Sequence, residues 1–419
     1  MTDLLAELEW RGFVQHATPG LAAHLKRGPV TVYCGFDPTA PSLQLGNLMP
    51  LMLLQHFQRA GHRPIVLMGG GTGLIGDPSG KSTERPLLSK EDLRAYLGRQ
   101  RDQMARFLDF GAGPAGALLL DNAEWLARLG LIDFLRDVGK HFTVNVMLQK
   151  ESVQARLDTG LSYTEFSYML LQAYDFLHLH GEHGCTVQVG GSDQWGNITA
   201  GVELIRRVES VEAHGLVAPL VTTASGKKFG KSETGAIFLD PELTSPYKFY
   251  QFWVNTDDRD VERYLKLFSL APRAEIKALV ARHHENPAAR AAQRALAAEV
   301  TARVHGDAAT ASVQEASAIL FGDFDPHGAE DRVFQILAQE LPTARVRAAD
   351  PLPLVDAVVQ AGLVQSKGEA RRAIQHGGIY LNQERVTEPS RKLEPRDWIA
   401  GRNVLLRKGK KDHALLRAD

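Results

Sequence analysis

Over its first 220 residues the chain alternates short apolar runs with stretches whose apolar residues recur at helical spacing. That alternation constrains the fold more than any other feature. TVYCGF (31–36), RPIVLMG (63–69), GALLLDN (116–122) and CTVQVGG (185–191) read as buried strands. LQLGNLMPLMLLQHFQRAG, KEDLRAYLGRQRDQMARFLDF and LIDFLRDVGKHF read as the helices between them. A strand that is apolar on both faces needs cover on both sides. The pattern therefore predicts an α/β fold, a Rossmann-like, mostly parallel sheet clad by helices, over 1–220. Ligands of such sheets bind beyond the carboxyl ends of the strands.

After Leu220 the pattern changes. VTTASGKKFGKSETGA, rich in Gly, Ser, Thr and Lys, reads as a mobile lysine loop within a linker over 221–247. DVERYLKLFSL and the Ala-rich ENPAARAAQRALAAEVTARV predict a helical domain over 248–325. DRVFQILAQEL followed by PTARVRAADPLPL reads as a helical segment running into a proline-containing linker, over 326–352. The remaining 353–419 reads as a small α+β domain with strands in GIYLNQERV and NVLLRKG. This tail carries 13 Lys and Arg against 8 Asp and Glu, although the whole chain has a net charge of −1. A basic tail on an acidic body suits a polyanionic partner such as nucleic acid.

The 419 residues are 44% hydrophobic and 23% charged, which excludes a wholly disordered chain. No apolar run approaches the roughly 20 residues of a membrane span. The amphipathic, acidic start MTDLLAELEWRGF is unlike a secretory signal. Cys34 and Cys185 are the only cysteines and form no C-x-x-C pair, so neither a disulfide framework nor a cysteine zinc site is expected. These features together predict a cytoplasmic protein without a membrane partner.

MGGGTGLIGDPSGKSTER follows a strand directly. Gly71, Gly73 and Gly76 fit G-x-G-x-x-G, with Asp92 some 20 residues beyond, so a dinucleotide-dependent oxidoreductase is one remote reading. Gly80-Lys81-Ser82 nearly completes a P-loop, but the first Gly would fall at Ile75, and a backbone nest one residue short does not wrap phosphates in the same way. Lys81 and Arg85 on the far side of this turn could meet phosphate, or could form a solvated i,i+4 face.

Three more segments bear on the function. TVYCGFDPTAPSLQLGNLMP carries a strand, a turn at Asp37-Pro38, and a helix start whose Gly46 lets a nucleotide approach the backbone. KKFGKS places three lysines in a flexible loop, and VGGSDQWGNI joins two glycines to Asp193 and Gln194 beyond a strand. With GDPSGK, LRDVGKHF, FSYMLLQAYDF and SPYKFYQFWVNTDDRDV, they resemble the bacterial tyrosyl-tRNA synthetases, class I aminoacyl-tRNA synthetases, over nearly the whole chain.

The resemblance implies two steps. Tyrosine and ATP give tyrosyl-adenylate and pyrophosphate, and the tyrosyl group then passes to the 3′-terminal ribose of tRNA(Tyr). The carboxylate is already a nucleophile, so the first step needs charge neutralisation more than a general base. Lys228 and Lys231 are implied to stabilise pyrophosphate with support from Lys81 and Arg85, and Thr39 and Gln44 to meet the γ-phosphate. Asp37, Gly46, Asn47, Gly191 and Asp193, with Lys231, are the implied ATP contacts, and Cys34 a minor ribose contact. ATP brings Mg²⁺ held mainly by its own phosphates, with no protein metal site and no zinc.

Tyr33 and Asp175 are implied to bind the substrate phenol, Tyr168, Gln172 and Asp77 the α-ammonium, and Gln194 the carboxylate region. Residues 168, 172 and 175 share one helix face by spacing, where buried polar groups demand polar partners. Tyrosyl-tRNA synthetases are themselves the usual example of rejecting phenylalanine without an editing site, and no editing domain is expected here. For tRNA, Lys367, Arg371 and Arg372 of the tail, and Lys150, Arg206 and Arg207, are the implied contacts, with the helical domain near the anticodon. The family implies a homodimer.

One motif departs from the family. Gln44-Leu45-Gly46-Asn47 stands where relatives carry His-(Ile/Leu)-Gly-His or a close variant. A neutral Gln gives a weaker phosphate hydrogen bond than a charged donor. A catalytically impaired, synthetase-like RNA-binding protein is therefore the alternative reading.

Overall fold

The computed structural model describes residues 3–79, 89–157, 160–227, 229–232, 235–322, 324–347 and 352–418. It divides into two compact units, one of residues 1–245 with 252–304 and one of residues 246–251 with 305–419.

The first unit is built on β1 (His16–Ala17), β2 (Thr31–Phe36), β3 (Arg63–Met68), β4 (Leu118–Asp121), β5 (Cys185–Gly191) and β6 (His214–Ala218). Their order is β1-β6-β5-β2-β3-β4, all parallel except β1 against β6. All four strands expected from the sequence are present. Val32, Ile65, Val66 and Val187 in three of them are 0% exposed, as strands covered on both faces require. Strand order reverses between β5 and β2, so the crevice beyond their carboxyl ends is the topological switch point.

Helix Leu48–Arg59 packs against β2, β3 and β5, with Leu51 and Leu54 fully buried. Helix Tyr163–His183 starts at Ser162, whose hydroxyl accepts from Glu165 N (3.2 Å), and stops at Gly184 with φ +60°. Its Phe176 and Leu179 bury against Tyr33, Ile65 and Leu67. The short hairpin β7 (Lys231–Ser232) and β8 (Gly235–Ala236) lies in the lysine segment.

The second unit carries the sheet β11-β10-β12-β13-β9, formed by β9 (Thr343–Val346), β10 (Ile379–Leu381), β11 (Glu384–Val386), β12 (Asn403–Lys408) and β13 (Asp412–Ala418). Helices Leu354–Gln360 and Lys367–Gln375 contribute Leu354, Val358 and Ile374 to a core shared with Ile379, Leu406 and Leu416.

Three expectations differ from this structure. The linker over 326–352 holds, beyond its expected helix (Asp331–Glu340), strand β9, which pairs parallel to β13 and buries Val346. Pro326 opens a short 3₁₀ turn and Pro342 directly precedes β9, so neither marks a free spacer. The helical domain over 248–325 is not a separate body. Residues 252–304 belong with the first unit, where buried Arg11 donates to the carbonyls of Lys266 (3.0 Å), Ser269 (2.6 Å) and Ala271 (2.8 Å). Those carbonyls lie at and just beyond the end of helix Val261–Phe268, where backbone acceptors lack helical partners. Finally, LIDFLRDVGKHF is not one covering helix but a three-residue helix Leu131–Asp133, a π turn Phe134–Val138 and a 3₁₀ turn Gly139–His141. Its Leu131 (70% exposed) and Ile132 (72%) face solvent, while Val138 is buried in a cluster with Met147 and Met169, so only its later part is held by a core.

Candidate active site

The site grows from the carboxyl ends of the central strands. Tyr33 on β2 is 1% exposed, its ring 5.2 Å from that of Phe176, and its hydroxyl has no hydrogen-bond partner. Burial, then the nearby Asp175 carboxylate, push its pKa well up. Asp175, 2% exposed, accepts from Asn122 Nδ2 (2.8 Å) and Trp125 Nε1 (2.7 Å). Burial nonetheless raises its carboxyl to about 7, because those two bonds only partly offset desolvation and the charges of Asp37 and Asp121. The strand neighbour of Tyr33 across β2–β5 is Gln188, 2% exposed and with an unpaired Oε1. Unpaired polar atoms at such depth are costly unless a ligand meets them.

About two turns back along helix Tyr163–His183, the Tyr168 hydroxyl donates to Asp37 Oδ2 (2.8 Å), and Asp37 Oδ1 accepts from Thr72 Oγ1 (2.7 Å). Tyr168 has a raised pKa from burial and from Asp37. Asp77 accepts from Gln194 Nε2 (2.7 Å), Gln194 Oε1 from Gln172 Nε2 (3.2 Å), and Gln172 Oε1 from Asn197 Nδ2 (3.1 Å). A chain of carboxylate and amides thus continues from the Tyr33–Asp175 end, with Tyr168, Gln172 and Asp175 on one helix face as their spacing predicts.

The glycines of the Gly-rich turn have a local role. The N–H of Gly70 donates to Asp121 Oδ1 (3.1 Å) and that of Gly71 to Asn122 Oδ1 (2.8 Å). A Cβ on Gly69 would overlap the Asp37 carboxylate, and one on Gly70 that of Asp121. The turn packs against acidic side chains, and two of its N–H groups are already engaged, so it is not the pyrophosphate cradle of a dinucleotide fold. Asp92, the acidic residue of that fingerprint, donates its N–H to the capping hydroxyl of Ser89 (3.0 Å).

The 39–47 segment meets the lysine segment. Gln44 N donates to Asn47 Oδ1 (2.8 Å), so Asn47 caps the turn. Leu45 N donates to Ile237 O and Ile237 N to Gly230 O (both 2.9 Å), and Gln44 bridges Phe238. Gly230, at φ +79°, passes so close to Leu45 that a Cβ would come within 2.9 Å of its Cβ. Thr39, Gly46 and Lys231 are exposed at this end. Phe229 anchors the lysine segment, 5% exposed, stacked 5.1 Å from Phe268 and edge-on to Tyr264 at 5.0 Å. Lys81, Arg85 and Lys228 lie outside the described residues.

Gly191 ends β5, where a Cβ would come within 2.6 Å of Asp193 Oδ1. Cys34 is 4% exposed, and burial pushes its thiol up to about 12. Lys150 Nζ donates to Thr199 Oγ1 (3.2 Å), and burial lowers its pKa. Arg206 and Arg207 both pair with Glu203 (2.7 and 2.6 Å), while Lys367 pairs with Asp356 (2.7 Å). Arg371 and Arg372 are exposed on helix Lys367–Gln375. Sequence reasoning missed Asn122, Trp125, Thr72 and Asn197. A polar Asp-Asn pair ending the apolar run GALLLDN was a signal for the first of them.

Comparison with known proteins adds an independent finding. The family model described as "tRNA synthetases class I (W and Y)" matches residues 25–322. The one described as "Tyrosine--tRNA ligase SYY-like C-terminal domain" matches residues 333–416. The chain is 53% identical over 423 residues to the tyrosine–tRNA ligase of Roseiflexus castenholzii, with 100% of both covered. It is 52% identical over 419 residues to that of Bacillus caldotenax, with 99% of both covered. A C-terminally truncated mitochondrial tyrosyl-tRNA synthetase of Coccidioides posadasii aligns with a TM-score of 0.67 and 31% identity, covering 75% of this chain and 91% of that one.

Proposed function

We infer the roles of the site from one premise: the chain belongs to the class I tRNA synthetases and is a tyrosine–tRNA ligase. Its substrates are tyrosine, ATP and tRNA(Tyr). In the first step a tyrosine carboxylate oxygen attacks the α-phosphorus of ATP. The bond to the β-phosphate oxygen breaks, and pyrophosphate leaves with its negative charge.

The observation that carries the residue assignment is the unpaired Tyr33 hydroxyl beside Asp175 at the switch point of the sheet. A substrate phenol supplies an acceptor for the Tyr33 O–H and a further donor to the Asp175 carboxylate, beside those of Asn122 and Trp125. Phenylalanine supplies neither and leaves the Tyr33 hydroxyl buried and unpaired. Asp77, Tyr168 and Gln172 take the α-ammonium, and Gln194 orients the carboxylate. Asp37, Gly46, Asn47, Gly191 and Asp193 receive the adenosine portion.

ATP enters as its magnesium complex, the ion held mainly by the phosphates. Lys231 and Lys228, with Lys81 and Arg85, neutralise charge as pyrophosphate separates, and Thr39 and Gln44 meet the γ-phosphate. Cations that engage most strongly at the transition state raise the rate more than the affinity. The reading calls on no zinc.

Transfer to tRNA uses the basic tail through Lys367, Arg371 and Arg372, with Lys150, Arg206 and Arg207 near the acceptor arm and the 248–325 helices near the anticodon. A homodimer accounts for the exposed apolar side chains Leu131, Ile132, Val144 (58%) and Tyr163 (75%), which cluster in sequence around 131–163. The enzyme works in the cytoplasm, and among the described residues no helix is long and apolar enough to cross a membrane.

Tyrosine-dependent exchange of labelled pyrophosphate into ATP, followed by aminoacylation of tRNA(Tyr), tests the reading. Robust exchange that collapses in Asp77→Ala and Lys231→Ala supports it. Exchange at background, with tRNA binding retained, supports the impaired RNA-binding alternative instead.

A further inference from the structure

We propose that Ser42 and Gln103 form a positioning junction that holds the 39–47 turn and the 229–240 lysine segment in register, and so govern the use of ATP without touching it. The inference rests on the assignment of Gln44 and Lys231 to the phosphates of ATP.

The junction is built from buried polar groups. Ser42 is 1% exposed, and its oxygen accepts from Gln103 Nε2 (3.0 Å) and from Asp240 N (3.1 Å). Its O–H donates to Leu43 O, with 2.9 Å between the oxygens. Gln103 Oε1 accepts from Leu43 N (2.9 Å), so one amide fixes both the hydroxyl and the adjoining backbone. One turn earlier on helix Lys90–Met104, Gln100, 2% exposed, donates to Ala40 O (2.7 Å). The helix thereby clamps the turn that delivers Gln44.

From this hydroxyl the connection to the lysines runs through backbone. Leu239 N donates to Leu43 O, Leu45 N to Ile237 O, and Ile237 N to Gly230 O, each at 2.9 Å. Lys231 follows directly. Ser42 therefore links helix Lys90–Met104, the turn carrying Gln44, and the segment carrying Lys231. Removing its hydroxyl leaves the Asp240 N–H and the Gln103 amide without that shared acceptor. The two phosphate-facing segments are then free to shift relative to one another. Positioning errors of about 1 Å can cost about 10²-fold in rate. The tyrosine pocket rests on other hydrogen bonds, those of Asp37, Asp77, Asn122 and Asp175, so the effect should fall on one substrate.

The test is tyrosine-dependent ATP–pyrophosphate exchange on the full chain, with KM measured separately for ATP and tyrosine and tyrosine Kd measured by equilibrium dialysis. Ser42→Ala and Gln103→Leu should each lower kcat/KM for ATP by on the order of tenfold. KM for tyrosine and tyrosine Kd should stay within about twofold. The double variant should be no worse than the poorer single, because both remove one junction. Gln103→Glu, which keeps an acceptor for Leu43 N, should recover part of the loss and covers the case in which Ser42→Ala folds poorly. Gln44→Ala is the reference. If it depresses ATP use while Ser42→Ala and Gln103→Leu do not, or if they shift both substrates equally, the junction is overturned. If Gln44→Ala and Lys231→Ala leave ATP use unchanged, it is the ATP assignment that fails.

Discussion

Replacing Tyr33 by Phe should move stability and substrate binding in opposite directions. The Tyr33 hydroxyl is buried and unpaired in the ligand-free protein, while its ring packs on Phe176 at 5.2 Å. Phenylalanine keeps the ring and removes the orphan. An unsatisfied buried polar group costs about 1–3 kcal/mol, part of which relaxation recovers, so the ligand-free variant should gain roughly 1 kcal/mol. Tyrosine loses one hydrogen bond, worth about 0.5–1.5 kcal/mol, and should bind about twofold to twelvefold more weakly. Phenylalanine should be activated relatively better, because one fewer group is stranded beside it. Urea titration without ligand gives the first quantity, and equilibrium dialysis with both amino acids gives the others. A variant destabilised by more than about 1 kcal/mol, with tyrosine affinity unchanged, would show that the hydroxyl serves the fold and that the phenol binds elsewhere.

Three further outcomes follow from the same geometry. Asp175 has its carboxyl raised to about 7 by burial, so its contribution to stability is full below about pH 4 and is lost as pH rises through about 7. Asp175→Asn should therefore gain stability relative to the parent over that window, by at most about 4 kcal/mol, while tyrosine activation falls. A pH-independent difference in urea midpoints would contradict this. Gln44→His should speed tyrosine activation about fivefold to tenfold if a charged donor at this position strengthens the phosphate contact, and an unchanged exchange rate refutes that account of the departure. Arg11→Ala removes a buried guanidinium bonded to three carbonyls and to Glu7 (2.6 Å), and should cost about 3–5 kcal/mol in denaturant titration without altering KM for either substrate.

Much of this molecule is legible in its sequence because apolar strands and their turns are local signals. TVYCGF, RPIVLMG and CTVQVGG each announce a strand whose end carries site residues, and the spacing of 168, 172 and 175 announces one helix face. Partners brought together by the fold are harder to read. Nothing in KEDLRAYLGRQRDQM marks Gln103 as reaching Leu43, 60 residues away. Trp125 donating to Asp175, 50 residues distant, is equally silent in one dimension. Strand β9 was masked by flanking prolines because its pairing partner, β13, lies at the other end of the unit. Leu131 and Ile132 differ in the opposite sense: amphipathic spacing predicts burial, and both side chains are exposed.

The seat of Phe229 limits how the lysine segment can travel. To swing wholly clear, the chain must draw that ring out from among Phe252, Trp253, Tyr264 and Phe268, forfeiting about 1.5–3 kcal/mol of burial before anything is gained. Lys231, two positions onward, can instead rock about a seated pivot. With only Gly230 between them, the reach of its ammonium group is set by that pivot and not by the full length of the segment.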